Sequence, residues 1–222
     1  MIVDERMTTY INSLDRGHTP FLEKLYQEAR DTDVPIIRRE MQSFLKVFLK
    51  IHRPVSILEV GAAIGFSSIF MAEYGTDDAQ ITTIENYDKR IPIARENIRK
   101  AGFEKKIRLI EGDAQDVLKN LEGTYDLIFM DAAKGQYIHF LPDILRLMHP
   151  GSVLISDNVL QDGDLIESHF LIERRNRTIY KRMREYLYEL KHHPLLETSI
   201  VPLGDGITIS VKRDPMEIEG EQ

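Results

Sequence analysis

Cysteine is absent from the 222-residue chain, which excludes a disulfide framework and every thiolate metal site. No apolar run approaches the roughly 18 residues that a membrane-spanning helix requires. The first ten residues, MIVDERMTTY, start acidic and polar rather than as a secretory leader. Together these features favour a cytoplasmic protein. Internal repeats and low-complexity linkers are missing as well. Positive charge is in deficit: 29 Lys and Arg stand against 36 Asp and Glu, a formal net charge of −7. That balance disfavours indiscriminate nucleic-acid binding but leaves room for a local basic patch. With 42% hydrophobic residues, the chain suits one sizeable core. The expected layout is a single domain over 1–222, with a helical extension over 1–54, a core over 55–212 and a flexible polar tail over 213–222.

What is present falls into two rhythms. Over residues 4 to about 50, apolar residues recur every three or four positions: Tyr10, Ile11 and Leu14, then Leu22, Leu25, Tyr26 and Ala29, then Met41, Phe44, Leu45, Phe48 and Leu49. This predicts helices, separated at Gly17-His-Thr-Pro20 and Asp31-Thr-Asp-Val-Pro35. From Val55 on, short apolar strands alternate with helices. The strands are predicted over 55–60, 80–84, 107–110, 125–130 and 152–156; the helices run to about Tyr74, over 88–101, to Leu121 and over about 138–148. Such alternation implies right-handed crossovers and a parallel sheet covered on both faces. A long helix is expected over about 166–192. Gly204-Asp-Gly206 between two β-rich runs signals a hairpin, so one strand must run against the others.

The first strand ends in Glu59-Val-Gly-Ala-Ala-Ile-Gly-Phe-Ser67. Glycines there let a ligand approach the backbone at a helix N-terminus. The dinucleotide fingerprint G-x-G-x-x-G is lacking, and Glu59 beside the first glycine would repel a phosphate but suit an ammonium group. Glu85 ends the second strand, 24 residues after Gly61, where a carboxylate can accept both hydroxyls of a ribose. Gly112-Asp-Ala-Gln115 follows the third strand and could face an adenine. A nucleoside with an amino-acid tail and no phosphate fits: S-adenosylmethionine. A bare tight turn, or another nucleotide-binding α/β protein, is the alternative.

Asp131, Asp157 and Asn158 follow the fourth and fifth strands. Open α/β sheets bind ligands at such carboxyl ends. Three hard oxygen donors select Mg²⁺ or Ca²⁺ and leave about three of magnesium's six positions for substrate or water. Either segment alone reads as a solvated turn; together they favour a metal. The histidines at 18, 52, 139, 169, 192 and 193 show no competing ligand spacing and read as surface or partly buried residues.

The segments LEVGAAIGFSS, TTIE, GDAQD, DLIFMDAAKGQY, ISDNVL and PLGDGITIS, in that order over roughly 35–212, resemble the cation-dependent O-methyltransferases, the group of catechol and caffeoyl-CoA O-methyltransferases. Within that group MDAAKGQY and the basic stretch after DNVL are most similar to bacterial tRNA 5-hydroxyuridine methyltransferases. The resemblance implies a Rossmann-like class I methyltransferase fold with a seven-stranded, mostly parallel sheet and one antiparallel strand. It implies an S-adenosylmethionine site at Gly61, Gly65, Ser67, Glu85, Asp113, Ala114, Gln115 and Asp131, together with Glu59. It also implies a metal on Asp131, Asp157 and Asn158, with Lys134 as general base beside Asp131, and a homodimer. Ala132-Ala133 replace the bulky aromatics of the catechol enzyme, leaving room for a larger acceptor.

Arg174, Arg175, Arg177, Lys181, Arg182 and Arg184 against Glu173 make the strongest local charge feature. On an acidic chain a basic strip suits directed contact with a polyanion; a solvated helix face is the ordinary alternative. The substrate expected from these features is 5-hydroxyuridine at a tRNA wobble position. A small catechol or an acyl-CoA is the enzymatic alternative, and an RNA-binding protein with a vestigial cofactor fold the non-enzymatic one.

Overall fold

The computed structural model describes residues 4–167 and 172–216. They fall into two compact units, Asp4–Val117 and the residues from Leu118 on. The first unit opens with α1 (Glu5–Ser13), α2 (Pro20–Asp31) and α3 (Arg39–His52). The Asp4 carboxylate caps α1 by accepting from the Arg6 and Met7 amides. Pro20 starts α2 at the one helical turn where a missing N–H costs nothing. Arg53 turns left-handed after α3, and Pro54 prevents continuation. Leu22, Leu25 and Ala29 of α2 and Met41, Leu45 and Leu49 of α3 are buried, which is the expected helical stripe.

Then β1 (Ser56–Val60), α4 (Phe66–Tyr74), β2 (Gln80–Glu85), α5 (Ile91–Ala101), β3 (Ile107–Glu111) and α6 (Ala114–Asn120) alternate. β1 pairs with β2, and β2 with β3, in parallel, with Val60 opposite Ile84 and Glu85 opposite Glu111. α5 begins three residues later than expected. Pro92 stands in the first turn of α5, where its missing N–H leaves no helical bond unmade, and the Tyr87 carbonyl closes a turn with the Arg90 and Ile91 amides.

The second unit carries β4 (Tyr125–Met130), a 3-10 turn over Lys134–Gln136, α7 (Tyr137–Arg146), β5 (Met148–Ser156), α8 (Arg177–His192), β6 (Leu196–Val201) and β7 (Ile207–Lys212). β4 and β5 are parallel, and β7 runs antiparallel to both β5 and β6. The seven strands form one mixed sheet in the order β3-β2-β1-β4-β5-β7-β6, as anticipated, with β7 the reversed strand. Val201 pairs with Ile207 across Gly204-Asp-Gly206, the hairpin read from the glycines.

In the second unit two boundaries differ from expectation by more than two residues. β5 starts at Met148 rather than Ser152, because Met148 pairs with Tyr125 across a register irregularity. The Ser152 hydroxyl bridges that irregularity, donating to Tyr125 O at 2.7 Å and accepting from the His149 amide at 2.9 Å. The long helix expected over 166–192 begins only at Arg177. Its buried stripe is Tyr180, Met183, Tyr186 and Leu190; one and two turns earlier stand Asn176 and Glu173, which cannot extend it. Part of the intervening stretch, 168–171 with His169, lies outside the described residues, as does 217–222 of the expected tail.

The carboxyl end of α7 is closed from a distant strand. Lys212 Nζ donates to Leu145 O in the last turn of α7 and to Met148 O at the start of β5, each at 2.8 Å; the first is a carbonyl that a helix end leaves open. Lys212→Met should remove both bonds and cost about 1–2 kcal/mol. Thermal melting would then fall by about 2–8 °C, whereas an unchanged melting temperature would mean water replaces the ammonium at no cost.

Candidate active site

After β1 the chain turns through Gly61, Ala63 and Gly65, at φ 104°, 47° and 83°. Two of these left-handed positions are glycine, where no Cβ opposes them. The loop is held from three sides. Ile84 O accepts the Gly61 and Ala62 amides, each at 3.0 Å. Asn97 of α5 donates to Ile64 O at 2.9 Å. Glu85 accepts the Ala63 amide on one oxygen at 2.7 Å and the Asn86 and Tyr87 amides on the other at 3.0 and 2.8 Å. Glu85 thus stands at the end of β2, as expected, and ties the glycine loop to the next one. Ser67 lies in the first turn of α4. Gly112 accompanies Asp113, whose carboxylate accepts the Gln115 amide at 2.8 Å, and Ala114 opens α6.

Glu59 is fully buried. One carboxylate oxygen accepts the hydroxyls of Ser68 on α4 and Thr83 on β2. The carboxylate therefore braces β1, β2 and α4 beneath the loop.

The second unit assembles the oxygen donors. Asp131 follows β4 and Asp157 follows β5, with the Asp157 amide donating to Met130 O at 2.9 Å. Asn158 sits in the left-handed region at φ 57°, a conformation asparagine tolerates better than most residues. Its Nδ2 is 3.2 Å from Asp131 Oδ1, which leaves its oxygen as the atom able to meet a cation. Lys134 Nζ lies 3.3 Å from the same Asp131 oxygen. Asp157 is only 5% exposed. Burial first, and then the charge of Asp131, push its carboxyl up to about 7, against the opposing pull of the Asn158 amide and Lys134. Two acids that repel each other, one of them desolvated, beside an amide oxygen make a donor set that fits a hard divalent cation. Among the described residues no group of three or more acidic, histidine or cysteine side chains is placed to hold a metal ion; the donor set here is two carboxylates and an amide.

Tyr137 opens α7 and is fully buried. Its buried hydroxyl lies 3.1 Å from both Met130 O and Asp157 O and pins the two strand ends that carry the acids. Sequence spacing gave no sign of this. His18 is half-buried, with Nδ1 3.1 Å from Tyr74 OH, and burial lowers its pKa.

The basic stretch is not one solvated helix face. Glu173–Asn176 form a turn closed by the Asn176 amide on Glu173 O at 2.8 Å. Arg174 and Arg175 are exposed there, with Arg175 paired to Glu173 at 2.7 Å. Arg177 Nε donates to Ile172 O, Arg182 to Gly135 O, and Arg184 to Leu165 O and Tyr180 OH, at 2.9–3.1 Å. Half of the expected polyanion contacts therefore also hold the protein's own backbone.

Comparison with known proteins agrees with this geometry. The model of a family described as O-methyltransferase matches residues 13–213. Catechol O-methyltransferase of Niastella koreensis is 32% identical over 130 residues, 57% of this chain and 59% of that protein, so the chain spans less than two thirds of that relative. Caffeoyl-CoA O-methyltransferase 2 of Populus trichocarpa is 31% identical over 180 residues, 75% of this chain and 70% of its own. Among solved structures, the SAH-bound methyltransferase PaMTH1 of Podospora anserina superimposes with a TM-score of 0.85 at 28% identity, covering 95% of each chain. A Staphylococcus aureus protein provisionally assigned as a caffeoyl-CoA O-methyltransferase gives 0.86 at 31% identity, covering 94% of this chain and all of that one. The glycine loop after β1, the acid closing β2 and the match over nearly the whole length lead to one conclusion: the chain belongs to the O-methyltransferase family and is an S-adenosylmethionine-dependent O-methyltransferase.

Proposed function

We propose that the protein methylates one of two adjacent oxygens on its acceptor with the help of a divalent cation, magnesium first among them. The observation behind this reading is the cluster of Asp131, Asp157 and Asn158 with Lys134 at its edge. When bound, the cation would supply Lewis acidity and a template for the two acceptor oxygens. Lys134 Nζ, as the neutral amine, would receive the proton of the acceptor hydroxyl as the new O–CH₃ bond forms and the S–CH₃ bond of the donor breaks. Asp131 orients Lys134 through their contact, and Tyr137 keeps the two acids at fixed spacing. The glycine loop and Glu85 hold the donor.

The acceptor we propose is 5-hydroxyuridine in tRNA, whose O5 hydroxyl neighbours the O4 carbonyl. Exposed Arg174 and Arg175, on the segment downstream of the Asp157-Asn158 loop, support it: phosphates bind such side chains and release counterions. A second reading, a small catechol or caffeoyl-CoA, is favoured by the names of the relatives.

The test is methyl transfer to tRNA carrying 5-hydroxyuridine, run beside a catechol panel, with and without EDTA, and with nucleosides read by mass. Methylated tRNA, lost on chelation, is expected. Arg174→Glu with Arg175→Glu should raise KM for tRNA and lower the slope of log KM against log salt by about 1–2, with S-adenosylmethionine binding unchanged. Turnover of catechols with untouched tRNA would favour the second reading, and turnover indifferent to EDTA would remove the cation.

A further inference from the structure

Arg182 lies among the cations that the charge pattern assigns to a polyanion, yet its guanidinium faces the catalytic turn. Its Nη1 donates to Gly135 O at 3.1 Å. Gly135 is the middle residue of the Lys134–Gln136 turn. A Cβ built on Gly135 would lie 3.6 Å from Ile179 Cγ1 and 3.8 Å from Arg182 Nη1, so the turn rests directly on α8.

That turn has little rigidity of its own. It is three residues of 3-10 helix, held by the Gln136 amide on Ala133 O and the Tyr137 amide on Lys134 O, a geometry with poorer hydrogen bonds than an α-helix. The two residues before it, Ala132 and Ala133, have no side chain long enough to anchor it. Buried Tyr137 fixes its downstream end. Between these, the Arg182 bond reaches the carbonyl next to Lys134 from an element 47 residues away. Misplacement of a reacting group by about 1 Å can cost about 100-fold in rate.

We infer that Arg182 is a positioning residue: it fixes the Lys134–Gln136 turn on α8 and so holds Lys134 at Asp131. This rests on the reading of Lys134 as the proton acceptor. The rival role is a direct phosphate contact, since Arg182 also borders a shallow surface groove with Arg177, Thr178 and Lys181.

A double-mutant cycle separates the two. Arg182→Met keeps the apolar stem and removes the donor; Lys134→Ala removes the base. Rates are measured on 3,4-dihydroxybenzoate and on 5-hydroxyuridine-bearing tRNA. R182M should lower kcat about 10- to 100-fold on whichever acceptor the wild type turns over, with S-adenosylmethionine affinity unchanged within about twofold. In the K134A background the same substitution should cost less than about threefold, because residues acting through one another are not additive. Hydrogen exchange at the Gln136 amide should quicken in R182M, and Arg182→Lys should recover part of the rate. If R182M fails to fold, the cycle is run with R182K. An equal loss in both backgrounds overturns the proposal, and so does a higher KM for tRNA with kcat intact. K134A with full activity, or a wild type inert on both acceptors, would instead overturn the reading beneath it.

Discussion

Metal-free Asp157→Asn protein should melt at a higher temperature than the wild type at pH 8, and the two should converge near pH 4. In the fold, burial and the Asp131 charge raise the Asp157 carboxyl to about 7 from an ordinary value of 3.8. The unfolded chain therefore releases this proton near pH 4, while the folded chain keeps it until about pH 7. The group's contribution to stability is full below the unfolded pKa and is lost as pH rises through the folded one. Asparagine does not titrate, so the variant escapes the loss.

Magnesium should narrow that gap. At a hundred times its dissociation constant a ligand stabilises the folded state by about 2.7 kcal/mol, or about 5–10 °C for a chain of this size. That gain belongs to the wild type alone, because the variant lacks one of the two carboxylates. Methyl transfer by the variant should fall at least about 100-fold, since Lewis-acid stabilisation is worth several kcal/mol. The readouts are melting curves in EDTA and in magnesium at both pH values, beside the methylation rate. A variant less stable than the wild type in EDTA at pH 8 would contradict the electrostatic account, and equal stabilisation of both by magnesium would place the cation elsewhere.

Gly206→Ala should be among the most damaging single-methyl substitutions in the second unit. Gly206 has φ +82°, and a Cβ there would lie 2.3–2.6 Å from Leu160 side-chain atoms. The left-handed conformation costs about 1–2 kcal/mol for a residue with Cβ, and forced repacking adds about 1–3 kcal/mol. Melting should fall by about 5–15 °C. Gly123→Ala is the control: φ is +83°, with nothing within 4 Å of the added Cβ, so only the backbone cost should appear. The damage should reach the site as well. Val159 N donates to Gly206 O and Leu160 N to Asp205 O, each at 2.9 Å, so the hairpin tip holds the residues that follow Asp157 and Asn158. Weaker stabilisation by magnesium in G206A, but not in G123A, is the expected signature; identical melting shifts for the two would mean Leu160 moves aside freely.

The contrast between these glycines shows how far the sequence could be read. Gly204-Asp-Gly206 announced a hairpin and the hairpin is there, but that Gly206 also faces Leu160 had no local sign. Asp131, Asp157 and Asn158 were legible because each follows an apolar run that had to be a buried strand. Glu85 was legible for the same reason. The start of α8 was not, since the basic residues before Arg177 carry helical propensity without a buried stripe to use it. Nor were the bonds of Arg182, Tyr137, Asn97 and Lys212, which join residues 7 to 67 positions apart.

Local residue pattern was enough for the alternation of strands and helices, the reversal at the hairpin, and which oxygen-bearing residues stand at strand ends. Those follow from periodicity and turn chemistry, which act over a few residues. The desolvation of the Asp157 carboxyl beside Asp131, the buried hydroxyls that occupy an oxygen of Glu59, and the turning of Arg182 from solvent to the Lys134 turn came only with the packed fold. Desolvation and long-range hydrogen bonds depend on what packs around a group, and packing is a property of the whole chain rather than of any stretch of it.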